Sequence, residues 1–281
     1  MVWRLAIEHH TGHDYPDIVI ASYNEARITP VDTPHQQVLD HRVEVRPATS
    51  MLRYVDYWGS RVCAFEVHEP HRSLVVSGRS LVETWSSPVP DDTASWEEVH
   101  DPRIQDELCE YLAPSKHVPP DDRFSDLASK IASDCGTPRA AVAEVGAWMS
   151  DAIAYTPGVT SVSTTASEVL DLQRGVCQDF VHVALGVLRA AGIPTRYASG
   201  YLHPDRSAEV RATVEAESHA WGEAWVGEWI PFDPTNGHEV GERHVLVARG
   251  RDYGDVAPLK GVYHGSSGNE VDVRVSITRV A

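Results

Sequence analysis

This chain is predicted to be an α+β protein, with an N-terminal antiparallel β-sandwich followed by helices packed on an antiparallel sheet. Three observations lead there. Apolar and polar side chains alternate from residue 1 to about 85, recur at helical spacing from 91 to about 191, and alternate again in short runs beyond 195. Helices gathered ahead of the second group of strands, rather than interleaved with it, indicate an α+β arrangement.

The first strands carry Trp3, Leu5 and Ile7, then Val43 and Val45, then Cys63, Phe65 and Val67, then Leu74 and Val76. Turn signals separate them: TPVDTP, RPATS, WGS and HEPH. Residues 1–90 are expected to form the sandwich, and 91–281 a helical segment plus a second domain. One helix carries Ile104, Leu108 and Leu112. A second starts after Pro119 and Pro120, carries Phe124, Leu127, Ala128 and Ile131, and stops at Gly136. Thr137 and Pro138 open a third as N-cap and first helical residue, with Val142, Val145 and Met149 on one face. Thr165 and Glu168 form a capping box for a short fourth, with Gly175 as its stop. The next helix begins at Cys177, places Phe180, Val183, Ala184, Val187, Leu188 and Ala191 on one face, and ends at Gly192 and Pro194. Strand-like runs follow near 195–202, 219–226, 229–233, 243–249 and 271–280.

Of 281 residues, 42% are hydrophobic and 23% charged, as expected of a globular chain. The formal net charge of −17 argues against nucleic acid or an anionic membrane as partner. No apolar run approaches a membrane span, and the opening MVWRLAIEHHTGHDY lacks an apolar signal core, so a cytoplasmic location is expected. The four cysteines are far apart with no C-x-x-C pair. Cys63, Cys109 and Cys135 are expected to be free and to act as small buried hydrophobes.

Cys177 is different because it sits in the first turn of a helix. Unpaired N–H groups and the positive end of the dipole favour a thiolate there and can also receive an oxyanion. Covalent catalysis also needs a base and a group to orient it. ESHAWGEAWVGEWIPFDPTNG, residues 217–237, offers His219 at the start of one strand and Asp233 at the end of the next. A three-residue loop at Trp225, Val226 and Gly227 sets 224 opposite 228 and 219 opposite 233. A two-residue turn at Gly227 and Glu228 would set 219 opposite 236. The first register is preferred.

RGVCQDF before a helix, SHAW at a strand start and FDPTNG after a hairpin resemble the transglutaminase-like cysteine enzyme superfamily. SYNEARITPVDTPHQ, FEVHEPH, TSVST and GRDYGDVAP extend the resemblance to bacterial members with an N-terminal β-sandwich domain, over essentially the whole chain. The resemblance implies a papain-like, transglutaminase-like core. It casts Cys177 as nucleophile, His219 as general base and acid, and Asp233 as the residue that orients the imidazole. It implies a thioester intermediate, a protein or peptide substrate, and no metal or organic cofactor.

The first activity this points to is an amidase or peptidase that passes the acyl group to water; the alternative, close to it, is an acyl transferase that passes it to an amine. A non-catalytic binding scaffold is the third reading; the loss of the cysteine, histidine or aspartate would favour it, and all three are present. Gln178 and Asp179 follow the cysteine where animal crosslinking enzymes carry a tryptophan soon after it, and their large calcium-dependent domains are absent, which argues against crosslinking. The backbone N–H of Cys177 is the first oxyanion donor, with Tyr155 or Trp148 as candidates for the second. Asp179 complements the helix dipole, and His182 projects from a different face than Cys177. Trp221, with Trp225 and Trp229, packs as core or lines an acyl cleft. Asp252 and Tyr253 belong to a turn that could approach the site. HPDRSAEVRATVEA, residues 203–216, reads as a flexible loop at the cleft rim.

Overall fold

The computed structural model describes all residues except 1, 87–92, 238, 266, 267 and 269. The expected division at 90/91 therefore lies outside the described residues. Six strands come first: β1 (Val2–Val19), β2 (Ala21–Thr29), β3 (Gln36–Arg46), β4 (Met51–Val55), β5 (Arg61–Val67) and β6 (His71–Trp85). The middle of the chain forms α1 (Trp96–Val99), α2 (Pro102–Glu107), α3 (Asp122–Asp134), α4 (Pro138–Ala152), β7 (Ala154–Tyr155), α5 (Ala166–Leu172), β8 (Arg174–Gly175) and α6 (Cys177–Ala190). It ends with β9 (Thr195–Leu202), β10 (Thr213–Ala216), β11 (Ser218–Trp225), β12 (Trp229–Phe232), β13 (His244–Gly250), α7 (Tyr253–Val256), β14 (Leu259–His264) and β15 (Glu270–Arg279).

Two sheets, ordered β10-β15-β1-β6-β3 and β14-β2-β5-β4, make the sandwich. Its core holds Val43, Val45, Cys63, Phe65, Val67, Leu74 and Val76, inward residues that alternation selected. Three of its strands come from beyond residue 200, and this was not expected. β15 pairs with β1 in a ten-residue register from Leu5–Arg279 to Asp14–Glu270, β14 pairs with β2, and β10 covers β15. The run read as a flexible rim loop thus ends in a strand, because Thr213 to Ala216 find partners at Thr278 to Val275.

The second layer is the sheet β12-β11-β9-β13 with α6 laid against it. Helices α3, α4 and α5 surround α6. Every residue of α6 from Asp179 to Arg189 is buried. Phe180, Val183, Ala184, Val187 and Leu188 face the helical core, while Val181 and Leu185 face a second core. That second core also contains Trp3, Leu5, Ile7 and Val82 of the sandwich and Tyr197, Tyr201 and Val245 of the sheet, so the two halves share buried surface. Buried Arg189 closes the helix, donating to the carbonyls of Thr195 at 3.0 Å and Arg251 at 2.6 Å. Its charge lies where the dipole is negative.

Local expectations mostly match. Thr137 caps α4 with Pro138 at N1, and Thr165 and Glu168 close the capping box of α5. Helix α5 stops earlier than Gly175, at Gln173, which takes the left-handed conformation itself (φ 53°). The helix through Ile104 breaks after Glu107 into a short 3₁₀ turn. Among the three cysteines expected to be buried, Cys63 is; Cys135 is only partly covered, and Cys109 is exposed. No helix among the described residues is long and apolar enough to cross a membrane.

Gly200 shows how closely the central sheet is packed. It lies on β9 between His219 on one side and Leu246 on the other. A Cβ there would fall 1.9 Å from the Val245 carbonyl and 2.8 Å from the Trp221 ring. Gly200→Ala is expected to cost about 3 kcal/mol, since backbone must move to make room. Urea unfolding of the two proteins measures it.

Candidate active site

Cys177 is the first residue of α6, after an extended Val176. The start of the helix is held by Asp179, whose buried carboxylate accepts from the Val176 N–H at 2.8 Å and the Thr160 hydroxyl at 2.7 Å. Gly175 is required for this: a Cβ there would lie 2.6 Å from Asp179. The N–H groups of Cys177 and Gln178 have no intrahelical acceptor and mark the positive end of the dipole. Cys177 opens into a cleft of about 1000 Å³ that also contains His219 and Tyr155.

His219 and Asp233 meet across the β11–β12 hairpin, though in a different register from the expected one. Trp225 pairs with Trp229 and Gly222 with Phe232, so Val226, Gly227 and Glu228 form the loop, with Gly227 at φ 101°. The shift from the expected pairing is two residues. A shift of two keeps every side chain on its face, so His219 and Asp233 become diagonal neighbours instead of direct ones. His219 Nε2 donates to Asp233 Oδ2 at 2.8 Å, and Cys177 is hydrogen-bonded to the same imidazole.

Asp233 is fully enclosed. Its Oδ1 accepts the N–H groups of Thr235 and Asn236, and its Oδ2 accepts the Asn236 side chain at 2.8 Å. Burial works against the charge, but hydrogen bonds from His219, His244 and Asn236 outweigh it and hold the carboxyl well below the usual range. Burial likewise works against the His219 cation, and Asp233 with Cys177 outweighs it, raising the imidazole to about 9. The arrangement is thus a thiol, an imidazolium and a carboxylate in line at a helix N-terminus.

His244 is the residue that sequence reasoning missed. It starts β13, is buried, and directs Nε2 at Asp233 Oδ2 from 3.5 Å. Its Nδ1 accepts the Gly241 N–H at 3.2 Å, which places the proton on Nε2, facing the carboxylate. His219, Asp233 and His244 bring three ligand-type atoms within 4.8 Å of one another. A metal ion there would need both Nε2 lone pairs that the hydrogen bonding fills with protons, so the geometry suits a carboxylate clamp better than a cation site. No local motif marks His244, whereas Asn236 is foreshadowed by the Asp-Pro-Thr-Asn turn.

Of the other candidates, only Tyr155 lines the cleft with Cys177 and His219. Gln178 turns its amide to the Val162 carbonyl at 3.3 Å. Trp148 packs against the helical core. Trp221 is buried as core, 6.2 Å from the His219 ring and 5.4 Å from that of His244. Asp252 caps α7 and accepts the His117 N–H at 2.9 Å, and the Tyr253 N–H donates to His182 Nε2 at 3.2 Å. These two approach the flank of α6 behind the cysteine rather than the cleft. There His117 and His182 stack 5.1 Å apart, and burial pushes His182 down to about 3, so it stays neutral.

Residues 125–234 match the family model described as transglutaminase-like superfamily, and residues 5–83 match the bacterial transglutaminase-like N-terminal region. An uncharacterized protein of Mycobacterium leprae is 45% identical over 280 residues, covering 100% of both chains. The crystal structure of a candidate cysteine protease from Cytophaga hutchinsonii superposes with a TM-score of 0.77 at 22% identity, covering 98% of this chain and 90% of that one. The protein-glutamine gamma-glutamyltransferase of Pseudomonas aeruginosa is 31% identical over 122 residues, 40% of this chain and 18% of its own.

Because the folded value of His219 lies above its ordinary 6.5, its pairing stabilises fully below pH 6.5 and fades as the pH rises through about 9. Between pH 6 and 9.5 the protein is expected to lose about 3 kcal/mol more stability than His219→Gln, by denaturant melts. In Asp233→Asn the His219 value should fall toward 6.5, as read by NMR titration.

Proposed function

We propose, from the premise that the chain belongs to the transglutaminase-like superfamily, that it is a cysteine-dependent amidase or peptidase acting on an amide or isopeptide bond of a protein or peptide. The observation that supports this reading best is the alignment of Cys177, His219 and Asp233 at the start of α6. A thiolate nucleophile needs a cation beside it, and a protonated His219 supplies one.

In this mechanism the Cys177 sulfur attacks the amide carbon, and the carbonyl oxygen takes up the negative charge. The backbone N–H of Cys177 faces that oxyanion, with the Tyr155 hydroxyl as the second donor. As the C–N bond breaks, His219 passes its proton to the leaving amine and a thioester remains. Water then attacks, giving one proton to the now neutral His219, and the thiolate leaves with the acid as product. Asp233 stays ionised and holds the ring throughout.

Transfer to an amine is the second reading. Glu215 and Glu217 on the cleft wall suit a cationic acceptor, and the Pseudomonas aeruginosa relative is a protein-glutamine gamma-glutamyltransferase. Neither route uses a cofactor. We place the protein in the cytoplasm, where its four thiols would stay reduced.

Alkylation by iodoacetamide, followed by intact-protein mass spectrometry from pH 4 to 9, tests the reading. Cys177 should label rapidly at pH 6, at least about tenfold more slowly in His219→Ala, where the imidazolium partner is gone. A blocked glutaminyl peptide incubated with the protein should gain about 1 Da if water is the acceptor (the amide-to-acid difference), or the mass of an added alkylamine less that of the ammonia released if it is not. An ordinary thiol profile in both proteins would overturn it.

A further inference from the structure

The sandwich forms one wall of the cleft, and its charge pattern is not explained by the chemistry at Cys177. Glu215, Ser276, Glu8, Arg79 and Arg42 stand opposite one another in register, one from each strand of the sheet β10-β15-β1-β6-β3. This row crosses the whole sheet, leaving Cys177 at the β10 end. Beyond Arg79 the cleft continues into a hollow of about 200 Å³ that shares His10, Ser77 and Arg79 with it and adds Arg42, Glu44 and Arg46. Four strand spacings make the path roughly 19 Å long, about the reach of six extended residues.

The charge changes sign along the path. Glu215 and Glu217 lie near the thiol, Arg274 on β15 is neutralised by Asp272 at 2.7 Å, and Arg42, Arg46 and Arg79 surround Glu44 at the far end. The pairs Arg42–Glu44 at 2.8 Å and Arg79–Glu8 at 3.3 Å are exposed, so they exchange partners at little cost. Three guanidiniums in one hollow stand out in a chain of net charge −17. The row that crosses the wall is polar and charged, which suits an extended peptide better than a compact apolar ligand.

We propose that this sheet is the substrate-recognition platform, and that the substrate is an extended peptide segment carrying acidic side chains about six residues from the reacting amide. The proposal rests on the cysteine-enzyme reading for its chemistry but not for its test. Guanidinium forks donate bidentately to carboxylates, so the arginines would set register along the groove while the sulfur does the chemistry.

The test uses chloroacetyl peptides with a Gly-Ser spacer and a terminal Glu₃ or Lys₃ tag, placed one or six residues from the electrophile. Labelling of Cys177 is followed by mass spectrometry at pH 8.5, where any accessible thiol reacts. By net charge alone the Lys₃ peptides should label faster at both spacings. The platform instead predicts that Glu₃ at six residues labels about fivefold faster than Lys₃ at six, and that Glu₃ at one residue has no such advantage. The preference should vanish in 1 M NaCl and reverse in the double variant Arg42→Glu, Arg46→Glu. Equal rates, a Lys₃ preference at both spacings, or a Glu₃ preference that survives the double variant would each overturn it. Failure of the enzyme reading shows separately, as slow iodoacetamide labelling at pH 6.

Discussion

Complete burial of α6 is the constraint on which the rest of the architecture depends. With Asp179 to Arg189 all covered, the helix cannot shift along its axis or rotate without breaking contacts to three helices, one sheet and the edge of the sandwich. Its two ends are held by buried charges: Asp179 satisfies the backbone before the first turn, and Arg189 satisfies carbonyls beyond the last. A side chain at the first position of such a helix is placed as rigidly as any in the molecule, and that position is Cys177.

The carboxylate end of the site is held as firmly, by different means. Asp233 lies just beyond a four-residue strand, where a hairpin could fray, yet its two oxygens draw in two backbone N–H groups, an amide and two imidazoles. A buried anion with so many donors gives His219 one orientation and keeps it protonated. His244 turns this from a pair into a clamp. Trp221, packed against both rings, closes the site on the far side from the cleft.

Much of this was legible in the sequence where it depends on neighbours along the chain. Helix caps at Thr137 and Thr165, the start of α6 at Cys177 and the faces of the sandwich strands are local matters of spacing and turn chemistry. The hairpin was half legible: parity placed His219 and Asp233 on one face, but loop length alone could not fix the pairing to better than two residues. What escaped were contacts between distant segments. Nothing near residues 213–216, 259–264 or 270–279 says that they complete a sheet begun at residue 2, because edge and partner are chosen by the assembled fold. His244 escaped for the same reason, since its importance comes from β13 lying two strands from β11.

The return of β15 to β1 also bears on when the thiol becomes useful during biosynthesis. On a ribosome, Cys177, His219 and Asp233 all emerge before residues 270–279, yet the wall that faces them is built on β15 and on β10, which has only β15 to pair with. Until that strand arrives, β1 has one bare edge and Trp3, Leu5 and Ile7 lack Val275 and Ile277 beside them. A nascent chain therefore carries Cys177 before the wall that faces it is complete. The wall of the cleft thus waits on β15, whichever of its neighbours has already folded.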